Sequence, residues 1–65
     1  MNLIYLLITD GNEWEDIVVF LTEEHAINES IKNPKSRVEI FIETDKNGYI
    51  PTYNYYKNGK YIQKL

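Results

Sequence analysis

Apolar and polar positions along the chain fall into short blocks with distinct periods. Asn2 to Thr9 reads as a strand, with Leu3, Tyr5 and Leu7 on one face and Ile4, Leu6 and Ile8 on the other. Apolar residues on both faces predict a central strand. Asp10-Gly11-Asn12 is a turn signal, and Glu15 to Leu21 holds the unbroken run Ile17-Val18-Val19-Phe20-Leu21, a second strand. The short link between the two predicts an antiparallel hairpin. Thr22 then has the chemistry of a helix N-cap, followed by Glu23 and Glu24, whose charge suits a helix N-terminus. Leu21 and Ala26 fall at the two staple positions, and Ala26, Ile27, Ser30 and Ile31 form a narrow stripe for packing on a sheet. Asn33-Pro34 ends the helix.

Ser36 to Thr44 alternates cleanly, with Val38, Ile40 and Ile42 inward and Arg37, Glu39, Phe41 and Glu43 outward. Asp45-Lys46-Asn47-Gly48 is a turn. Tyr49 to Tyr56 reads as a fourth strand whose Pro51 predicts an edge at its start. Asn58-Gly59 is a two-residue hairpin signal, so Lys60 to Leu65 is expected to pair back as a short fifth strand. The expected fold is α+β: one domain over residues 1–65, an antiparallel-rich sheet of four to five strands with one helix, in the order β-β-α-β-β-(β). The passage from second strand through helix to third is compatible with a right-handed parallel crossover.

One helix covers one face of a sheet, yet the first two strands are apolar on both. The second face is expected to expose about half of Leu3, Tyr5, Leu7 and the odd or even members of Ile17 to Leu21, plus Phe41. A patch of that size on a soluble monomer calls for a cover. Either the Tyr-rich C-terminal hairpin curls over it or a second copy docks there, and the expectation is a homodimer.

Composition narrows the chemistry. The chain has 65 residues, no Cys and one His. A domain this small has a marginal core, and without Cys it has neither a disulfide framework nor a thiolate metal site. One His does not make a multi-His metal centre, and there is no Gly-rich phosphate loop, so neither metal nor cofactor is expected. Charge is unevenly spread. Residues 1–45 hold all ten acids against three bases, net −7, and residues 46–65 hold four Lys and no acid, net +4. The second segment also holds five of the six Tyr.

Four constellations invite a chemical reading. Asp10, Glu13, Glu15 and Asp16 surround Trp14, which suggests either a cation or acid/base site or a solvated loop whose Trp caps the core edge. Asp45 to Ile50 opens like a calcium-binding EF-hand loop, but the twelfth position is Tyr56 where a bidentate Glu is needed, so a hairpin turn is expected. His25, in the first helical turn, has no partner set by sequence and is expected at the surface. Asn28-Glu29-Ser30 is a glycosylation sequon inside the predicted helix and is expected to be silent.

The C-terminal segment interleaves rings with cations. Tyr faces stack on bases and Lys neutralises phosphate, as single-stranded nucleic acid requires. Tyr is equally at home in protein interfaces and in ordinary strands. The interface candidates are Phe41, Tyr53, Tyr55 and Tyr61, with Lys57 and Lys60 as rim charges.

The stretch Val19-Phe20-Leu21-Thr22-Glu23-Glu24-His25-Ala26-Ile27, followed by Val38-Glu39-Ile40, resembles short phage and large-virus proteins of unknown function, in which a hairpin ends in Thr-x-Glu-x-Ala before a helix and a closing strand. The resemblance covers roughly residues 3–44. It implies a β-β-α-β fold and a viral setting, and it transfers no catalytic or binding residue. The first nine residues lack a basic leader and fall short of the ~20 needed to span a bilayer, so an intracellular location, in a host cell or a virion, is expected. Together these features predict a small non-enzymatic binding or accessory protein that acts by self-association and protein contact. The alternative is a single-stranded nucleic-acid-binding protein using the same Tyr/Lys strip.

Overall fold

The computed structural model describes residues 2–64. The fold is α+β, with five strands and one helix: β1 (Leu3–Ile8), β2 (Val18–Phe20), α1 (Glu23–Lys32), β3 (Arg37–Thr44), β4 (Gly48–Lys57) and β5 (Lys60–Ile62). They form one sheet in the order β2-β1-β3-β4-β5, and every neighbouring pair is antiparallel. β1 lies between β2 and β3, as its two apolar faces predict. β2 and β3 run the same way with β1 between them, so α1 is a crossover over one face rather than a link between adjacent parallel strands. Leu65, the expected end of the fifth strand, lies outside the described residues.

The helix forms where the sequence stops alternating. The Thr22 Oγ1 accepts the His25 N–H at 3.2 Å, capping the first turn. At the other end the Asn33 side-chain and main-chain N–H groups both donate to the Glu29 carbonyl, closing the helix before Pro34. Its buried positions are Ala26 and Ser30, with Ile27 packed at their side. Ile31, expected in the stripe, lies at the rim and is more than half exposed. Leu21 is 76% exposed and staples nothing; Phe20 fills that role, buried and with its ring centroid 4.5 Å from that of His25. The narrow stripe explains both departures. Two small side chains let α1 sit close to the sheet, which leaves bulky neighbours at its margins.

The core is Tyr5, Phe20, Ala26, Val38, Ile40 and Tyr56, so the helix covers the face of β1 that carries Leu3, Tyr5 and Leu7. This reverses the expectation of exposure for Tyr5, which is buried, and for Leu7, which packs against the core, whereas Leu3 at the start of the strand stays 40% exposed. Both faces of β1 are apolar, so its own sequence holds no preference. The neighbours decide: Tyr5 pairs across the sheet with Phe20 on one side and Ile40 on the other, and both belong to the helix face. The face left uncovered carries Ile4, Leu6 and Ile8.

Two departures at the strands matter below. The expected second strand is shorter than read, because Trp14–Asp16 forms a 3-10 turn and pairing begins at Val18. β4 carries an irregularity: Glu39 pairs with Tyr55 while Phe41 pairs with Pro51, so two steps on β3 face four on β4. Pro51 offers no N–H to the ladder, and the Thr52 hydroxyl restores a link by donating to the Ile40 carbonyl at 2.7 Å. Tyr53 takes a left-handed conformation with φ 69, rare for a bulky residue. The start of β4 pairs only with β3, an edge as Pro51 predicts.

The β4–β5 turn shows a Gly that the backbone requires. Asn58 and Gly59 have φ 52 and 79, the positive pair of a type I′ hairpin. The Gly59 N–H donates to the buried Ser30 Oγ at 2.8 Å, which ties the hairpin to the underside of α1. The buried Ser30 hydroxyl, which also donates to the Ile27 carbonyl, leaves Asn28-Glu29-Ser30 locked in the helix. Gly59→Ala is expected to lower stability by about 1–2 kcal/mol, because alanine resists the left-handed backbone. A Cβ there would also meet Ile31 Cδ1 at 3.0 Å. A urea titration checks this, with Lys46→Ala in the exposed turn between β3 and β4 expected to be neutral.

Candidate binding face

The residues that could carry chemistry are mostly used within the fold. The Glu13 N–H donates to Asp16 Oδ2 at 3.1 Å and the Asp16 N–H donates to the Glu13 carbonyl, so these two acids build their own turn. Trp14 does not cap the core edge, since it is 79% exposed. Asp10 accepts from Arg37 Nη1 at 2.8 Å, across from Glu39, which accepts from Arg37 Nε at 2.6 Å. Hydrogen bonds to Glu39 and then Asp10 hold the guanidinium above its ordinary pKa. Glu23 accepts the Tyr56 hydroxyl at 2.5 Å. His25 is exposed and rests on Phe20. Among the described residues, no group of three or more His, Cys, Asp or Glu is arranged to hold a metal ion. No helix among them is long and apolar enough to cross a membrane.

What remains is the uncovered sheet face. Register defines one row across all five strands: Val19 on β2, Leu6 on β1, Glu39 on β3, Tyr55 on β4 and Ile62 on β5. Beside it run Ile4, Phe41 and Pro51. The irregularity in β4 carries Tyr53 over this face. Its ring is 59% exposed and lies between two shallow depressions, with Lys64 Nζ 5.2 Å from its centroid. One depression, of about 230 Å³, is lined by Ile8, Arg37, Glu39, Phe41, Pro51 and Tyr53. The other shares Arg37, Glu39 and Tyr53 and adds Tyr55, Ile62, Gln63 and Lys64. The face is therefore apolar to aromatic, with one charged pair near its middle that is already matched. Glu39 is 15% exposed, although among the described residues no helix covers the sheet on this side.

The six residues singled out from the sequence divide. Phe41, Tyr53 and Tyr55 meet on the open face, as lining of the two depressions. Tyr61 pairs with Tyr56 across β4 and β5, with ring centroids 5.7 Å apart, and so belongs to the helix face. The Lys57 ammonium donates to the carbonyls of Pro34 at 2.9 Å and Ser36 at 3.3 Å, which makes it a clamp on the loop before β3 rather than a free rim charge. Lys60 is exposed on β5. The Tyr/Lys segment is thus split between two faces and is not one strip. Ile4, Leu6, Val19, Arg37, Glu39 and Ile62 complete the face and were not singled out. Their shared parity with Phe41 was visible within each strand, but strand order was needed to join them.

Set against known proteins, the chain matches no family model, no curated protein and no solved structure.

Proposed function

We propose that the chain is a small non-enzymatic binding protein of viral type that works as a homodimer, with the open sheet face as its interface. The observation that carries this reading is the row Val19, Leu6, Glu39, Tyr55 and Ile62 with Phe41 and Tyr53 beside it: a broad apolar surface whose central charge is neutralised by Arg37. Desolvating a face costs least when its charges arrive paired. The left-handed backbone at Tyr53 supports the same reading, since strain of about 1–2 kcal/mol is kept where the side chain's position matters. Catalysis finds little support, because Asp10, Glu13, Asp16, Glu23, Glu29 and Glu39 serve turns, ion pairs or hydrogen bonds within the fold and the one His rests on Phe20.

Nucleic acid is the weaker occupant of this face. It needs free cations next to exposed rings, whereas Lys57 is held by main-chain carbonyls, Lys64 sits on Tyr53 and Arg37 is divided between two carboxylates. Sedimentation velocity at low and high salt, with and without a mixed-sequence single-stranded oligonucleotide, tests the choice. The expected result is a dimer at both salts that ignores the oligonucleotide, and Tyr53→Ala with Tyr55→Ala is expected to shift it toward monomer. A monomer that binds the oligonucleotide only at low salt would overturn the reading, as counterion release governs phosphate contacts.

A further inference from the structure

The open face is unequal from side to side, and so is the charge around it. On the β2–β1 side the row is aliphatic, with Val19 and Leu6; on the β4–β5 side it holds Tyr55 and Ile62. The loop from β1 to β2 carries Asp10, Glu13, Glu15 and Asp16, while the opposite margin carries Lys60 and Lys64. Register puts the acidic loop and the β4–β5 turn at the same end of the sheet. Ile8, the last residue of β1, pairs with Arg37, the first of β3, and Lys57 closes β4 opposite Lys60 at that same end.

With the strands of the two sheets kept aligned, two face-to-face arrangements with two-fold symmetry are open. An axis across the strands lays each half on its own counterpart and swaps the ends. The acidic loop then lies over the end of β2 that leads into Glu23 and Glu24, and lysines lie over lysines. An axis along β3, the middle strand, swaps the halves and keeps the ends together. β2 then lies over β5 of the second copy, Leu6 over its Tyr55, and the acidic loop over its β4–β5 turn with Lys60. Opposite charges meet twice, and aliphatic side chains meet aromatic ones.

We propose that two copies pack face to face about a two-fold axis running along β3, with the β1–β2 half of each on the β4–β5 half of the other. This rests on the dimer reading above and adds its orientation. The self-complementary layout accounts for the separation of acids and lysines between the two sides of one sheet, and an isologous contact of this kind closes at two copies.

The absence of Cys makes the orientation directly testable. Val19→Cys and Ile62→Cys each introduce one thiol at a position that is exposed in the single chain. With the axis along β3, a mixture of the two variants cross-links through a short bis-maleimide. Val19→Cys alone does not, because its two thiols sit four strand spacings apart, roughly 19 Å. Efficient cross-linking of Val19→Cys with itself, or none in the mixture while the dimer persists, would overturn the orientation and leave the dimer standing. A wild-type chain that sediments as a monomer overturns both readings together. Charge reversal gives an independent arm. Glu15→Lys and Lys60→Glu are each expected to weaken the homodimer about tenfold, and mixing them should restore a heterodimer in which every junction is again opposite in sign. No recovery on mixing would count against the axis along β3.

Discussion

Tyr56→Ala is expected to leave the domain largely unfolded at room temperature, as followed by circular dichroism and urea titration. Tyr56 is buried opposite Val38, its ring lies 6.3 Å from Tyr5 and 5.7 Å from Tyr61, and its hydroxyl reaches Glu23 at the start of α1. It joins β4, β5, β1 and the helix. Truncating a buried aromatic costs about 3–5 kcal/mol. A chain of this length has a total stability of only about 3–10 kcal/mol. Tyr56→Phe keeps the ring and loses the hydroxyl bond; since Glu23 is exposed and regains water, about 1 kcal/mol is expected. The same residue sets an alkaline limit. Burial first, and then the hydrogen bond to the Glu23 carboxylate, raise the Tyr56 pKa well above the ordinary tyrosine value; burial and Glu23 raise that of Tyr5. A phenol whose pKa is higher folded than unfolded contributes stability that is complete below about pH 10 and lost as pH rises further. Phenolate absorbance is therefore expected to show these two tyrosines ionising late, together with unfolding, and Tyr56→Phe should flatten that alkaline fall in stability.

How much of this was readable in the chain depends on how local each cause is. The Thr22 cap, the Asn33-Pro34 stop, the Asn58-Gly59 turn and the alternation of residues 37–44 each depend on neighbours a few positions away, and each is found where the sequence puts it. The face that α1 covers is not local. Leu3, Tyr5 and Leu7 differ little from Ile4, Leu6 and Ile8, and only pairing with β2 and β3 separates them. The staple failed for a related reason: Leu21 has the right spacing, but Phe20 has the parity that points under the helix. Trp14 is expected to cap the core edge from its place in the loop, yet it is 79% exposed on the Glu13–Asp16 turn.

The candidate face shows the same division. Phe41 was legible as an apolar residue on an otherwise charged strand face, and its companions Tyr53 and Tyr55 as rings in a strand. Both rings share one face because they lie two residues apart, and the two extra residues in β4, being an even number, keep that parity across the break that Pro51 marks. Tyr61 and Lys57 join that group only by nearness in sequence. A hairpin sends successive residues to opposite faces, so proximity along β4 and β5 does not make a surface. Lys57 is taken by the carbonyls of Pro34 and Ser36, a contact over more than twenty residues that no pattern announces.

Leu6→Lys is expected to abolish the dimer while keeping the fold. Leu6 lies in the middle of the open row, half-buried, between Val19 on β2 and Glu39 on β3. A lysine here can reach Glu39 across the ladder, and opposite charges in that relation favour the sheet by a few tenths of a kcal/mol to about 1 kcal/mol. The single chain should therefore tolerate it. In the dimer the same ammonium would face the apolar and aromatic half of the second copy, away from water. Burying a charge without a full set of partners costs several kcal/mol, enough to weaken association by about a hundredfold or more. Sedimentation should give a monomer at concentrations where the wild type is dimeric, with an unchanged far-ultraviolet spectrum and a urea midpoint within the range of surface substitutions. Leu6→Met, which keeps the apolar contact, should leave the dimer intact. If Leu6→Lys still dimerises as the wild type does, the open face is not the interface. Loss of both fold and dimer would instead mean that β1 requires an aliphatic residue there in the single chain, and Val19→Lys, at the edge strand of the same row, then repeats the test without touching β1.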